Sequence, residues 1–468
     1  MAKKGSTSAS PELLLPHWDP SQPRRAQLET GVREAIRSGR LRPDARLPSS
    51  RALAAELDVS RRLVVEAYEQ LAAEGYVVSR RGSGTRVAPP AGDGAAGIAA
   101  RPEPVPAPVA GIDLFPGAPD LSLFPRRAWG RALRRALAEL PDARLSYGEL
   151  AGTTELRVAL AEHLGRVRAA AATPDRVVVT AGYQQGLRLF CQMVRGRGGR
   201  RVAVEDPGYP VAGWAIESER LEVVPVPIDD DGIDVAALAA AAPDAVVVTP
   251  AHSLPLGAVL APARRRRLVA WARAEGTLIL EDDYDAELRY DRGPAGTLQG
   301  LAPDVVVLAG TASKTLAPAL RLGWLLMPAE LVTIAIGARA IADGGGPRLD
   351  EWALAELIAG GAFDRHVRAA RQHYRAKRAV LLEALAAALP GARVRGIAAG
   401  LHVVLELPPG ASEERVIARA GAAGVQVYGL AGFTRRYDHP PSLVLGYGLA
   451  GERELRRAVA TIAAAVGG

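Results

Sequence analysis

The chain has 468 residues, of which 49% are hydrophobic and 23% are charged. This composition excludes a mainly disordered or fibrous protein, and the length predicts two or three domains. No segment reaches the roughly 18 uninterrupted apolar residues of a transmembrane helix, and the first residues lack the apolar core of a secretion signal. We therefore expect a cytoplasmic protein without membrane contact. The only cysteine, Cys191, excludes an intramolecular disulfide and a multi-cysteine metal cluster, and its apolar neighbours predict that it is buried.

The basic charge of the chain is concentrated near its beginning. The net charge is +7; positions 1–90 hold 15 Lys or Arg against 10 Asp or Glu, whereas the rest of the chain holds 43 against 41. Such an excess indicates a module that binds a polyanion, although a solvated basic face would have the same composition.

A segment rich in Ala, Pro and Gly divides the chain into two parts. These three residue types supply 17 of the 23 residues in 88–110, which leaves little apolar surface to pack. We interpret 89–110 as a linker of mixed flexible and polyproline character. The predicted domains are then residues 21–88 and 111–468.

The first domain has the pattern of a helix-turn-helix. Apolar residues at helical spacing predict a first helix that ends near Gly39. A start signal at Ser49 predicts a second helix through Leu57, and Ser60 is placed to cap a third helix from Arg61 to about Gly75. Two short helices joined by so short a turn are typical of a helix-turn-helix.

A predicted hairpin follows the third helix, with strands 76–80 and 85–88 around a glycine turn, and completes a winged helix. Arg61 and Arg62 begin the recognition helix, where side chains reach base edges in a major groove. Helix starts and wing arginines favour phosphate contact. The candidate DNA contacts are Ser49, Ser50, Arg51, Ser60, Arg61, Arg62, Arg80 and Arg86. A small basic domain that binds protein is the alternative from the pattern alone.

The residues of this domain also resemble a known family. The runs EAIRSGRL (34–41), RLPSSRALAAEL (46–57) and VSRRLVVEAYEQLAAEGYVVSRRGSGTRV (59–87) closely resemble the GntR family of bacterial winged-helix regulators. One departure is Asp58, where the family usually has glycine in the turn. Because Asp tolerates a left-handed conformation, we expect the fold to be kept.

The second domain reads as a mostly parallel α/β sheet, in which short apolar runs alternate with helical stretches. The predicted strands are 176–180, 202–205, 245–249, 277–281 and 305–309. Asp282 and Tyr284 follow one strand, and Lys314 follows another. Since ligands bind beyond the carboxyl ends of parallel strands, these side chains are expected to converge. Such a set suits pyridoxal phosphate (PLP), with the lysine forming a Schiff base and the aspartate holding the ring nitrogen protonated.

A phosphate would need a cradle, and Gly182 to Gln184 lie where a strand passes into a helix. Ser313 and Arg321 offer a hydroxyl and a guanidinium. From spacing alone, a solvated Lys314 or an acidic turn that binds a divalent cation is equally ordinary.

A second set of motifs extends over most of 112–465. These motifs are LSYGELAG (145–152) with Leu156 and Arg157, VVVTAGYQQGL (177–187), EDPGYP (205–210), TPAH (249–252), LEDDYDAELRY (280–290) and GTASKTLAPALRLGWL (310–325). They resemble the fold-type I aminotransferases, and this resemblance implies a mostly parallel central sheet with a smaller C-terminal subdomain. A GntR-type head, a proline-rich linker and such a body together resemble the MocR subfamily of transcriptional regulators, whose best-known members control vitamin B6 synthesis and GABA use.

The resemblance implies roles for ten residues of the body. Lys314 is the Schiff-base lysine, Asp282 pairs with the pyridine nitrogen, Tyr284 contacts the phenolic oxygen and Tyr209 stacks on the ring. The phosphate cradle is Gly182, Tyr183, Gln184, Ser313 and Arg321. Tyr147 reaches the phosphate of a partner subunit, which implies a homodimer with sites at its interface and leaves room for a domain-swapped arrangement.

Two departures from the aminotransferase pattern concern the active site. His252-Ser253 stands where His-Gln is usual, which alters contacts at the cofactor's edge. The strand that usually carries an arginine for the substrate carboxylate reads LVLGY (443–447), and the nearby Arg435 and Arg436 do not match the motif. The cofactor half of an aminotransferase is therefore present, and the substrate half is in doubt.

We expect a regulator that binds a double-stranded DNA operator and senses PLP, alone or with an amino-compound effector. The alternative is a working aminotransferase with an accessory DNA-binding head. The basic head and the missing arginine favour the regulator, since function lies in sites rather than in folds. A scaffolding protein would leave the lysine, aspartate and tyrosine unexplained.

Overall fold

A computed structural model describes residues 19, 21–80, 84–89, 111–291 and 296–467. It divides into two compact units, Met1–Ala107 and Pro108–Gly468, which we call the head and the body. The predicted linker, apart from residue 89, lies outside the described residues. No helix in the described part of the chain is both long and apolar enough to cross a membrane.

The head contains three helices and a two-stranded antiparallel hairpin. Its elements are α1 (Arg24–Arg37), α2 (Ser50–Glu56), α3 (Arg61–Ala73), β1 (Val77–Arg80) and β2 (Gly84–Val87). This is the predicted helix-turn-helix and wing. The helices pack around one small apolar core that includes Leu28, Leu53 and Leu71, all fully buried.

Local chemistry fixes both helix starts in the helix-turn-helix. The Ser49 hydroxyl accepts a hydrogen bond from the Ala52 N–H, and the Ser60 hydroxyl accepts one from the Leu63 N–H, each at 3.2 Å. Such caps satisfy N–H groups that the helix leaves without a partner. In the turn between the helices, Asp58 has a φ of 50°, the left-handed conformation expected for this position.

The body is built on an eight-stranded sheet in the order β4-β11-β10-β9-β8-β5-β6-β7. The strands are β4 (Val177–Thr180), β5 (Arg201–Asp206), β6 (Glu222–Asp229), β7 (Gly232–Ile233), β8 (Ala245–Val248), β9 (Leu278–Asp283), β10 (Val306–Thr311) and β11 (Gly323–Leu326). The neighbours β6, β5, β8, β9 and β10 are parallel, while β11 is antiparallel to both strands beside it. The predicted mostly parallel sheet is confirmed.

Helices cover this sheet, and they follow from the Ala-, Leu- and Arg-rich stretches before, between and after its strands. They are α4 (Arg126–Glu139), α5 (Thr154–Arg168), α6 (Tyr183–Gly196), α7 (Pro210–Ser218), α8 (Val235–Ala241), α9 (Pro262–Glu275), α10 (Leu298–Leu301), α11 (Ala329–Ala342) and α12 (Arg348–Ala359). Cys191 lies in α6 and is fully buried, as the apolar run predicted.

A smaller subdomain follows the sheet in sequence, as the resemblance implied. It contains the antiparallel sheet β12-β13-β16-β15 and three helices around a core of their own. Its elements are α13 (Ala362–Ala388), β12 (Val394–Arg395), β13 (His402–Glu406), α14 (Glu413–Ala422), β15 (Tyr428–Gly429), β16 (Ser442–Gly446) and α15 (Glu452–Gly467); the short strands β3 (Ile112–Asp113) and β14 (Val425–Gln426) pair beside them.

We predict that the head unfolds independently of the body. Leu53→Ala removes a fully buried side chain, and such substitutions cost about 2–5 kcal/mol. Hydrogen exchange of the full chain should therefore quicken in residues 21–88 and stay unchanged in 111–467. The exposed Glu56→Ala on the same helix is the control. Faster exchange in the body of the Leu53→Ala protein would show that the two units unfold together.

Candidate functional site

Two adjacent strands bring the predicted lysine and aspartate to one edge of the sheet. Strands β9 and β10 are parallel, and Asp282 is the register partner of Ala309. Lys314 follows the end of β10 closely in sequence. The carboxyl ends of both strands meet at this edge, where ligands of parallel α/β sheets bind.

Asp282 is a buried carboxylate with one oxygen that lacks a partner. Its residue surface is 6% exposed, and its Oδ1 makes no hydrogen bond with any described residue. Burial raises the pKa of Asp282 well above its usual range, and the nearby Tyr183 hydroxyl acts in the opposite direction. A buried carboxylate of this kind is stabilised by a cationic partner such as a protonated ring nitrogen.

The two residues beside Asp282 point the other way, because successive side chains of a strand alternate between its faces. Asp283 is held by Arg168 at 2.9 and 3.0 Å. Glu281 accepts hydrogen bonds from the Leu298 and Gln299 N–H groups, both at 2.9 Å. Arg168 and two backbone amides therefore satisfy the acidic turn, which the sequence left open as a cation site.

Lys314 lies half-buried at the same edge. Burial lowers the pKa of its amine, and the nearby carboxylates Asp285 and Asp282 oppose this effect. An amine with a lowered pKa is more often neutral and is then a nucleophile. Gly117 passes close to it, since a Cβ on this glycine would lie 3.6 Å from Lys314 Nζ.

The predicted phosphate cradle is assembled around the N-terminus of α6. Gly182 precedes this helix with a φ of 84°, and no described side chain caps it. Arg321, in the left-handed region with a φ of 51°, donates from Nη2 to the Ala181 carbonyl at 2.8 Å. A Cβ on Gly182 would lie 3.0 Å from the Arg321 guanidinium, so only glycine leaves this approach open.

Further groups of the cradle come from the segment after β10. The Thr311 hydroxyl donates to the Ser313 hydroxyl at 3.0 Å, which places both groups at one turn. Gln184 is exposed on the first turn of α6. The predicted cradle residues thus lie at this helix start and at the turn after β10, and the contact of each with phosphate stays a prediction.

Two aromatic residues, Tyr183 and Tyr209, lie near Asp282, and we call the region bounded by them, Asp282 and Lys314 the pocket. The rings of Tyr183 and Tyr209 lie 6.4 Å apart between centroids, and the buried Tyr183 hydroxyl has no hydrogen-bond partner among the described residues. Glu205 lies shortly before Tyr209 in the chain and accepts a hydrogen bond from the Thr249 N–H at 3.2 Å. Burial raises the pKa of Glu205 to about 7.

Tyr147 is in contact with solvent in the single chain. Its side chain is 91% exposed, yet its backbone carbonyl accepts a hydrogen bond from Arg348 Nη2 at 2.9 Å. Its contact with the phosphate of a partner subunit stays a prediction.

The candidate carboxylate-binding arginines lie apart from the expected strand. Strand β16 is buried along its whole length and carries no arginine. Arg435 forms an ion pair with Glu217 at 2.8 Å, and the backbone N–H groups of Arg435 and Arg436 both donate to Asp206 at 2.7 Å. The arginine missing from the sequence motif is therefore not replaced by either residue at β16.

The predicted DNA contacts of the head lie on its surface. Ser49, Arg51, Ser60, Arg61 and Arg62 are exposed, and Ser50 is half-buried. Arg62 forms an ion pair with Glu66 at 2.7 Å. Because such an exposed pair contributes little to stability, Arg62 can leave it for a base.

The two wing arginines differ in what the structure describes. Arg86 is half-exposed in β2 and donates to the Asp44 carbonyl at 2.8 Å. Arg80 is in β1, but the prediction for it concerns a side chain outside the described part of the head.

Three residues near Lys314 were not predicted from the sequence. Asp285 and His402 are buried beside His252, and Gly117 lies next to the lysine amine. Asp285 could have been predicted from the sequence, since it directly follows Tyr284 in the same motif. His402 and Gly117 come from distant parts of the chain, and no local pattern marks them.

Comparison with known proteins gives one family match in each unit. Residues 112–434 match the aminotransferase class I and II family, and residues 24–87 match the gntR family of bacterial regulatory proteins. An archaeal alanine:glyoxylate aminotransferase aligns with a TM-score of 0.71 at 26% identity, over 76% of this chain and 91% of that one. LysN, the α-aminoadipate aminotransferase of Thermus thermophilus, aligns with a TM-score of 0.69 at 26% identity, over 76% and 92%.

Two curated relatives span both units. The HTH-type pyridoxine biosynthesis transcriptional regulator PdxR of Corynebacterium glutamicum is 35% identical over 459 residues, which cover 97% of this chain and 98% of that protein. The probable rhizopine catabolism regulatory protein MocR of Rhizobium meliloti is 30% identical over 479 residues, covering 97% and 96%.

A helix-turn-helix head followed by a fold-type I aminotransferase body defines a class of bacterial transcriptional regulators. The chain belongs to the MocR subfamily of the GntR family within this class. The resemblance predicted from the sequence is confirmed.

We predict that Lys314→Ala abolishes covalent attachment of PLP and leaves the fold intact, because the side chain lines a pocket rather than a core. The chain has only one other lysine in the body, Lys377, which is buried and donates to Asp120 at 2.8 Å. Borohydride reduction after incubation with PLP, followed by peptide mass spectrometry, should mark Lys314 alone. A label on Lys377, or an unchanged label in the variant, would contradict the assignment.

Proposed function

We propose that this protein is a DNA-binding transcription regulator whose body binds PLP and responds to it, alone or together with an amino compound. The observation that carries the proposal is the pairing, in one chain, of an exposed arginine-bearing recognition helix with a pocket that holds an amine and a carboxylate oxygen without a described partner. The gene that it controls is expected to serve vitamin B6 or amino-compound metabolism, as the names of the relatives indicate for those proteins.

The residues of the pocket fit PLP. Asp282 Oδ1 is a buried polar atom without a hydrogen-bond partner among the described residues, and a bound polar ring would supply one. The glycine at 182 leaves the helix N-terminus open for a phosphate. When bound, PLP supplies an aldehyde that reacts with amines and a ring that withdraws electrons.

Each pocket residue has a distinct task in this proposal. Lys314 holds the cofactor covalently, and Asp282 keeps a proton on the ring nitrogen. Tyr209 covers one face of the ring, and Tyr284 contacts its phenolic oxygen. Ser313 and Arg321 bind the phosphate together with the backbone at Gly182. The cofactor would therefore contact the segments that follow β4 and β10 and the segment that precedes β11.

An amino compound is the class of effector that this pocket favours, because the aldehyde that PLP would supply reacts with primary amines, and Lys314 would be the protein's own amine beside it. What the pocket lacks is an arginine on β16 to hold an α-carboxylate. Bidentate arginine clamps hold a carboxylate and position a substrate for reaction, and an amino acid would lack this contact here. The pocket is therefore better suited to sensing an amine than to transferring its amino group.

A homodimer is the expected assembly. The side chain of Tyr147 is exposed while Arg348, Arg339 and Glu351 hold the backbone of its segment, with Arg339 donating to the Leu150 carbonyl at 3.1 Å. These three hydrogen bonds fix the backbone of the segment, so that the exposed Tyr147 side chain is available to contact the phosphate site of a second copy. Two copies would also provide two heads for two half-sites of an operator.

We predict slow or absent transamination. The full chain, loaded with PLP, should be mixed with a panel of amino donors and 2-oxo acids, and the turnover measured. The reason is the missing carboxylate clamp on β16. A donor that is turned over at about 1–10³ per second, the range of ordinary enzymes, would replace the regulator by a working aminotransferase.

We predict that Arg61→Ala and Arg62→Ala weaken binding to the operator more than binding to random DNA. A bidentate arginine–guanine contact contributes about 1–3 kcal/mol of discrimination. Arg86→Ala should weaken both about equally and reduce the salt dependence by about one unit of slope, as expected for a phosphate contact.

Electrophoretic mobility shift or fluorescence anisotropy with the promoter beside the gene measures these affinities. Arg453→Ala, an exposed arginine of the body, is the matched control. Equal losses on operator and random DNA for Arg61→Ala and Arg62→Ala would show that neither side chain reads a base, and no binding by the unmodified chain would remove the regulator function.

A further inference from the structure

A buried imidazole–carboxylate pair lies directly behind Tyr284. His252 Nδ1 is 2.8 Å from Asp285 Oδ2, and the two side chains are 1% and 2% exposed. The Tyr284 hydroxyl is 3.2 Å from the same His252 nitrogen. None of the tasks assigned so far uses either member of this pair.

The pair fixes which atom carries each hydrogen. Because the Asp285 carboxylate oxygen can only accept a hydrogen bond, His252 Nδ1 carries the hydrogen and donates it to this oxygen. The Tyr284 oxygen then faces an N–H group and can only accept from it. The hydroxyl hydrogen of Tyr284 therefore points away from His252 Nδ1 and is available to another acceptor.

Close backbone contacts hold the imidazole in place. A Cβ on Gly257 would lie 3.3 Å from His252 Nε2, and one on Gly400 would lie 2.2 Å from Cε1. The Tyr447 hydroxyl donates to the Gly400 carbonyl at 2.6 Å and anchors this second contact. Since no side chain fits at position 400 and little room remains at 257, the ring has no room to turn.

A second histidine, His402, lies beside His252 and is uncharged. The rings of His402 and His252 lie 5.1 Å apart, and His402 Nε2 donates to the Pro255 carbonyl at 2.9 Å. Burial lowers the pKa of His402 to about 3, with His252 adding to the effect. The His402 ring is therefore neutral under ordinary conditions.

The tyrosine and the lysine face some of the same carboxylates. Asp285, Asp282 and Glu205 raise the pKa of Tyr284 beyond the effect of its burial. Asp285 and Asp282 are the carboxylates that act on Lys314. Asp285 thus acts on both residues, and His252 links it to the Tyr284 hydroxyl.

We propose that His252, held by Asp285, is a positioning residue that fixes the Tyr284 hydroxyl as a hydrogen-bond donor toward the phenolic oxygen of bound PLP. This inference rests on the proposed binding of PLP. A hydroxyl that donates to an oxyanion stabilises the deprotonated form, so loss of its orientation raises the pH at which bound PLP changes its visible absorbance.

The test is a double-mutant cycle on the full chain loaded with PLP. Tyr284→Phe should raise the transition pH of the visible band by about one unit, as expected for one lost hydrogen bond to a charged oxygen. His252→Leu, which removes the donor and keeps a buried apolar side chain, should give most of that shift. Added to Tyr284→Phe, it should give no further shift, because it acts through the hydroxyl.

Two further variants separate positioning from packing. His252→Asn keeps a donor near the place of Nδ1 and should restore most of the wild-type transition. His163→Gln removes another buried histidine–carboxylate pair, at 2.6 Å from Glu287, and should leave the transition unchanged. The dissociation constant of PLP, measured by absorbance titration, is analysed in the same cycle, and thermal unfolding shows that each variant is folded.

The outcomes distinguish this inference from the proposed function. Independent, additive effects of His252→Leu and Tyr284→Phe on both quantities would overturn the positioning role, as would a His252→Leu protein that matches the wild type. A wild-type chain that develops no visible band with PLP would instead contradict the proposed function itself.

Discussion

The parallel pairing of β9 with β10 is the constraint on which the pocket depends. It sets the carboxyl end of each strand at one edge, so that Asp282 and the segment that carries Lys314 leave the sheet side by side. The amine and the carboxylate are far apart along the chain, and it is this pairing that brings them close in space. The cradle at Gly182 depends on the same sheet, because β4 reaches β10 through β11.

The sheet also allows three successive acidic residues to be buried together. Because side chains alternate along β9, Asp282 faces the pocket while Asp283 and Glu281 face groups that satisfy them. Arg168, whose side chain is fully buried, neutralises Asp283 from α5. Among these three residues, Asp282 has the carboxylate oxygen without a described partner, and a bound cofactor would supply that partner. The pair behind Tyr284 extends this arrangement to another side of the pocket.

The head follows a different logic. Its core is small, its helix starts are capped by Ser49 and Ser60, and its exposed arginines gather where the recognition helix begins. These features are local and make the head a unit with its own core. In the proposed homodimer, the body would bring two heads together, and Tyr147 is the residue predicted to reach the second copy.

Local chemistry in the sequence determined the elements of this protein and predicted most of the residues that the structure brings to the pocket. The helix-turn-helix, the wing and the strands of the body follow from caps, glycine turns and apolar periodicity, and the motifs around Asp282 and Lys314 indicated the cofactor chemistry. The strand bounds differed slightly from those predicted, since β9 runs on to Asp283 because its neighbour β10 continues the ladder.

Only the tertiary structure decided that Asp285 and His402 lie against His252, that Gly117 passes close to Lys314, and that Arg435 pairs with Glu217. The physical reason is that these contacts join segments that are far apart along the chain. Sheet packing, rather than any local pattern of residues, brings such segments together.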